Sequence, residues 1–217
     1  MSYSRGTSRT NCPVRTRVSN DQVTVRKKKV ETVQWWWQLR VELLEVTPRV
    51  WLRLVVPGDI KLPALHRVLQ ATLGWTDSHL HQFNTAGKKY AASNPDWEDE
   101  LGQLDERRIV LQKALGHESR CFDYLYDFGD SWHHVVLVED QHPSLPDHPI
   151  AIRCIDGENA CPPEDVGGAH GYAQFLAALA DPRHEEHEQY RTWIGGRFDP
   201  SRFDLTAINH ILGSLKV

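Results

Sequence analysis

Two runs of alternating apolar and polar residues, separated by a proline turn, constrain the fold of this 217-residue chain most. In Gln38–Val46 the side chains of Leu39, Val41 and Leu43 point one way and those of Arg40 and Glu42 the other. Arg49–Val56 repeats the pattern with Val50, Leu52, Leu54 and Val56. A period of two belongs to a half-buried strand, and Thr47-Pro48 between the runs is a turn signal, so the pair predicts an antiparallel hairpin. A second hairpin is predicted from Cys121–Asp127 and Trp132–Glu139, joined by Phe128-Gly129-Asp130-Ser131, with Gly129 where a turn calls for positive φ. Shorter β-like segments occur at Leu80–Thr85, Ile109–Leu111 and Ile150–Ile155, and the acidic stretch Asn94–Glu106 reads as an exposed excursion.

Helical periodicity begins at Leu62–Leu73, with apolar residues at 62, 65, 68, 69 and 73, Pro63 in the first turn and Gly74 just past the end. Gly171–Asp181, Glu185–Ile194 and Leu205–Leu215 read as further helices. The expected fold is α+β: a mostly antiparallel β-sheet with helices packed on it and a helix-rich C-terminal third.

Charge divides the chain. Residues 1–30 hold eight Lys/Arg and one acid, Asp21, for a net +7; the remainder holds 17 bases and 28 acids, a net −11. The basic segment has no hydrophobic periodicity, so residues 1–34 are expected to be a disordered arm and 35–217 a single α+β domain. Unpaired Lys and Arg neutralise phosphates, which makes residues 1–30 a candidate nucleic-acid contact; the competing explanation is a solvated tail. No window reaches the 18 or more apolar residues of a membrane span, and the first thirty residues have no apolar signal core, so the expected location is cytoplasmic with no membrane partner. Four cysteines (Cys12, Cys121, Cys154, Cys161) do not make a disulfide scaffold in a chain this long, and free thiols or a metal site are expected.

Three constellations carry chemistry. In His79-Leu80-His81, residues two apart on a strand share a face, so the two imidazoles would stand roughly 6–7 Å apart, a workable metal-ligand spacing if other ligands converge. In Tyr126-Asp127-Phe128-Gly129-Asp130-Ser131-Trp132-His133-His134, Asp127 and Asp130 flank a turn, and His133 and His134 leave on opposite faces. A carboxylate beside an imidazole serves acid–base chemistry or orients a metal-bound histidine. The structural alternative is that these aspartates cap backbone amides while Trp132 fills the core, and at least one aspartate is assigned that role. The third constellation, Cys154 to Gly168, has its cysteines too far apart for a zinc knuckle; its alternative is that Glu164 or Asp165 caps the following helix. No phosphate loop, Gly-x-Ser-x-Gly elbow or His-Glu-x-x-His helix occurs, and Asp127-Phe128-Gly129 stands without the other kinase motifs.

These residues point to an accessory or binding protein with a polar groove lined by His79, His81, Trp132 and His134. The rival is a metal-dependent hydrolytic enzyme with His79, His81 and His134 as ligands of a divalent metal and Asp127 or Asp130 as catalytic base. No other cofactor is assigned.

In series, Pro48-Arg49-Val50-Trp51, Leu65-His66 to Leu69-Gln70, Gly74-Trp75, His79 to Phe83, Tyr126 to His134, Cys161 to Gly168, Gly171-Tyr172, Trp193 and Phe198-Asp199-Pro200 occur in a characteristic order over roughly residues 35–212. The chain thereby resembles the plasmid pRi open-reading-frame-three-like family, also described as a TnpR-type passenger protein of insertion-sequence elements. The resemblance implies a compact α+β domain found in mobile elements and carries no settled activity. Family members often have a further cysteine where this chain has Val166, which weakens a cysteine metal site here.

Overall fold

The computed structural model describes residues 34–92, 102–116, 119–144 and 151–216. The basic arm, with its expected nucleic-acid contact, and most of the acidic stretch after Ser93 lie outside the described residues.

Among the described residues eight strands form one sheet: β1 (Trp35–Leu43), β2 (Val50–Pro57), β3 (His81–Thr85), β4 (Lys88–Ala91), β5 (Gln103–Asp105), β6 (Cys121–Tyr126), β7 (Trp132–Pro143) and β8 (Arg153–Glu158). Their spatial order is β5-β4-β3-β6-β7-β1-β2-β8, and every neighbouring pair is antiparallel except β4 with β5. Among the described residues five α-helices accompany them: α1 (Leu62–Leu73), α2 (Leu111–Leu115), α3 (Gly168–Ala180), α4 (His187–Trp193) and α5 (Leu205–Ser214). The α+β architecture and both expected hairpins are present. The first pairs Leu43 with Val50 and Leu39 with Leu54, so the alternating residues sort onto the faces their pattern demands.

One sheet face carries Leu39, Val41, Leu52, Leu54, Phe122, Tyr124, Val136 and Val138 into the core, where Leu62, Leu65, Val68 and Leu69 of α1 and Tyr172 and Phe175 of α3 join them. On the other face, polar side chains pair across strands. Arg53 donates to Glu139 at 2.6 Å and to Asp156 at 2.8 Å, and Arg40 lies 4.3 Å over the Trp51 ring.

Two local expectations need correction. Ile109–Leu111 is not a strand: Val110 makes one isolated bridge to Lys61, and Leu111 starts α2. Glu106, placed by sequence at the end of an exposed excursion, is buried in a 3₁₀ turn after β5, because a histidine from β3 faces it.

The fold brings three connections together. They are residues 74–80 between α1 and β3, residues 127–131 between β6 and β7, and residues 159–167 between β8 and α3. Gly74 adopts φ +81° and returns its amide to Gln70 O, ending α1 where the first connection must turn. At Gly168 a Cβ would lie 2.6 Å from the Asp130 carbonyl oxygen, and at Gly171 2.1 Å from that of Val166, so only glycines let α3 approach the hairpin and its own leading loop this closely.

Candidate cation site

The site has a buried layer and an outer mouth, held together by Trp75. Its indole is buried and donates to the Pro162 carbonyl at 3.0 Å, while the ring stacks on Tyr126 with centroids 5.0 Å apart. One side chain thus fastens the first connection to the third and to the end of β6.

In the buried layer, His66 and Gln70 stand four apart on α1 and so share its face. Both reach the Tyr124 hydroxyl, at 2.8 and 2.9 Å. The Asp77 carboxylate can only accept, so His66 Nε2 carries the proton and donates to it, 2.6 Å away; Nδ1 of the neutral ring is then left to accept the Tyr124 hydroxyl proton, while that hydroxyl accepts from the Gln70 amide. Burial, with His81 adding like charge, lowers the His66 pKa, in keeping with a neutral ring. Gln70 Oε1 also accepts the Asp77 amide at 3.0 Å. His81 stacks on His66 with centroids 3.5 Å apart and planes 7° apart, and its Nε2 faces both oxygens of Glu106 at 3.1 Å.

The mouth is built on this base. Tyr126 Oη accepts from the Ser78 amide at 3.0 Å and the His79 amide at 3.3 Å, and donates to Glu164. Glu164 also accepts from the Thr76 amide at 3.0 Å and from its hydroxyl. Burial opposes ionisation of Glu164, but the Thr76 and Tyr126 hydrogen bonds outweigh it and lower its pKa. Residues 76–80 are therefore tied at nearly every position, and His79 projects from them. Its Nε2 lies 2.8 Å from Asp165 Oδ1 and 3.7 Å from Asp127 Oδ2. Burial disfavours the imidazolium; hydrogen bonding to Asp165 and the charges of Asp127, Asp165 and Glu164 prevail and raise the His79 pKa. Leu80 and Phe128, both exposed, adjoin these residues in the chain.

Asp127 is held by its turn. It adopts φ +54°, donates its amide to the Leu80 carbonyl at 2.9 Å, and accepts the Gly129 amide on Oδ1 at 2.9 Å. The left-handed residues of this hairpin are Asp127 and Ser131 and not Gly129, since an aspartate bonded to the amide two residues on tolerates αL. Asp130 Oδ2 accepts the Gly167 amide at 3.0 Å at the start of α3. Asp130 thus ties the start of the helix to the hairpin, and no side chain caps the helix, so neither Glu164 nor Asp165 does so as the sequence suggested.

The sequence-derived site residues separate into three environments. His79 lies in the mouth, because the chain enters β3 only at His81; the two imidazoles do not share one strand face. His81 belongs to the buried layer. His134 is wholly buried, with Nδ1 donating to Tyr124 O at 3.2 Å, and Trp132 is a core side chain; both line the interior and no open groove. The structure thus does not gather His79, His81 and His134 as a ligand set. Asp127 belongs to the mouth, and Asp130 is committed to Gly167.

Among the described residues two groups of histidine and carboxylate atoms lie within 4.8 Å of one another: His66, Asp77 and His81, and His79, Asp127 and Asp165. They differ in kind. Two imidazoles stacked face to face hold their in-plane lone pairs in parallel planes, so they cannot both address one ion at about 2.0–2.1 Å. That group is a satisfied hydrogen-bond network. The outer group presents separate atoms from three connections toward one point, and its histidine and Asp165 reach solvent. Sequence reading missed Asp165 as a partner of His79, and also missed Glu106. A signal for His66 and Gln70 existed, two polar residues at helical spacing on an otherwise apolar face; Glu106 had none.

The family model described as plasmid pRiA4b ORF-3-like protein matches residues 36–207. The uncharacterized protein y4hQ of Sinorhizobium fredii (strain NBRC 101917 / NGR234) is 39% identical over 181 residues, covering 82% of this chain and 91% of the relative. The crystal structure of a protein of unknown function, MM3350 from Methanosarcina mazei Go1, is similar with a TM-score of 0.72 and 32% identity, covering 80% of this chain and 97% of that one. Among the described residues no helix is long and apolar enough to cross a membrane.

Proposed function

The chain belongs to the plasmid pRiA4b ORF-3-like family, and from that premise we propose that it is an accessory binding protein whose mouth, at His79, Asp127 and Asp165, takes a cationic ligand. The association with mobile elements, including carriage as an insertion-sequence passenger, belongs to the same proposal and rests on the family resemblance. One observation supports the binding reading above the rest: residues 76–80 are fastened by Gln70, Tyr126, Glu164 and His66, so that His79 faces carboxylates carried by two other connections. Supporting side chains that lock a displayed group are what a preorganised site requires. The sign of the ligand follows from charge, since Asp127 and Asp165 share a single histidine as their cationic partner among the described residues.

The test is a titration of the full-length protein with Zn²⁺, Mg²⁺ and ethylguanidinium, followed by the backbone amide resonances. Saturable shifts at Ser78–Leu80, Asp127–Gly129 and Asp165–Gly167 are expected with at least one cation, and should vanish in a protein carrying Asp127→Asn and Asp165→Asn. Silence toward all three cations, or shifts that persist in the double variant, would overturn the reading.

A further inference from the structure

We propose that the occupant of the mouth is a divalent transition-metal ion bound by His79 Nε2, Asp127 Oδ2 and Asp165 Oδ1. This rests on the cationic-ligand reading and narrows it.

Asp127 carries the argument. The residue is only 8% exposed, and its Oδ1 is occupied by the Gly129 amide. Its Oδ2 faces His79 at 3.7 Å, too far for a hydrogen bond, and has no other partner among the described residues. Oδ2 therefore lies beside two other ligating atoms with no hydrogen bond of its own, and its one positive neighbour among the described residues is the histidine it shares with Asp165. An organic cation fits poorly. Guanidinium seeks both oxygens of one carboxylate in a planar fork, and Asp127 has only one oxygen to give.

The spacing suits a small sphere. Ligand atoms 2.0–2.2 Å from a common ion lie roughly 3–3.5 Å from one another in tetrahedral or octahedral geometry. The His79 separations of 2.8 and 3.7 Å bracket that range, and the third separation falls within 4.8 Å. Two carboxylates balance a charge of +2, and one imidazole with two carboxylates suits zinc or manganese better than the oxygen-only preference of magnesium. The exposure of His79 and Asp165 leaves a side open for water or a second ligand. Glu164, occupied by Thr76 and Tyr126, serves as a positioning residue for the loop.

The experiment uses full-length, tag-free protein stripped with chelator, titrated calorimetrically with Zn²⁺ and Mn²⁺, with Mn²⁺ broadening of amide resonances locating the ion. One ion per chain is expected at the mouth, with broadening centred on Ser78–Leu80, Asp127–Gly129 and Asp165–Gly167. His79→Ala and the surface change Asp165→Asn should each weaken it at least ~10-fold. His133→Ala, which removes the exposed His133–Asp123 pair on the open sheet face, should leave affinity unchanged. Circular dichroism confirms that each variant is folded, and Asp165→Asn keeps the test decisive should His79→Ala fail to fold. Binding centred elsewhere, or binding indifferent to His79→Ala and Asp165→Asn, overturns the inference. If ethylguanidinium shifts the mouth while neither metal binds, the metal inference fails and the cationic reading stands; if no cation acts there, both fail.

Discussion

His134 shows what burial does to a single residue. Its Nδ1–H is used by the Tyr124 carbonyl, its Nε2 has no partner among the described residues, and burial drives its pKa down to about 4. The unfolded chain takes up a proton here near pH 6.5, whereas the folded protein resists until about pH 4. The protonation penalty of burying His134 is therefore absent above pH 6.5, and stability falls as pH drops through that window, by about 3 kcal/mol in all. Urea midpoints measured from pH 8 to pH 4.5 should show this decline in the wild type and a flatter profile in His134→Asn, which retains an N–H donor; parallel profiles would contradict the assignment. The sequence could show that His133 and His134 leave the strand on opposite faces. It could not show which face was core, since that depends on which strands lie on either side of β7.

At the scale of elements, local patterns were legible and distant pairings were not. Alternation located β1, β2, β6 and β7, and the apolar stripe with its flanking Pro63 and Gly74 bounded α1 at Leu62–Leu73. The pairing of β4 with β5 is parallel and so needs a crossover that no local signal announces, which is why Glu106 was placed outside. The edge of β8 was equally unreadable. Asn209 of α5 both accepts the Cys154 amide at 2.9 Å and donates to its carbonyl at 2.8 Å, standing in for a ninth strand. Replacing it, Asn209→Leu, should cost roughly 1–3 kcal/mol in denaturant unfolding, since two backbone groups lose their partner, and should raise self-association by light scattering. A variant as stable and monodisperse as the wild type would show that the clamp is dispensable.

Across the whole molecule, the chemistry is concentrated where three connections converge on one mouth. The sequence supplied most of the participants: His79, Asp127, and the loop that holds Glu164 and Asp165. It could not group them, because the partners of His79 lie 48 and 86 residues away and only the sheet order brings them near. Spacing along the chain instead favoured His79 with His81, which the turn before β3 assigns to different layers. The most direct measurement is an anomalous-difference map from crystals loaded with Zn²⁺. The predicted result is a peak between His79 Nε2, Asp127 Oδ2 and Asp165 Oδ1, about 2.0–2.2 Å from each, with none between the stacked rings of His66 and His81. A peak confined to the stacked pair or to the exposed His133–Asp123 pair, or no peak in the mouth, would contradict the account.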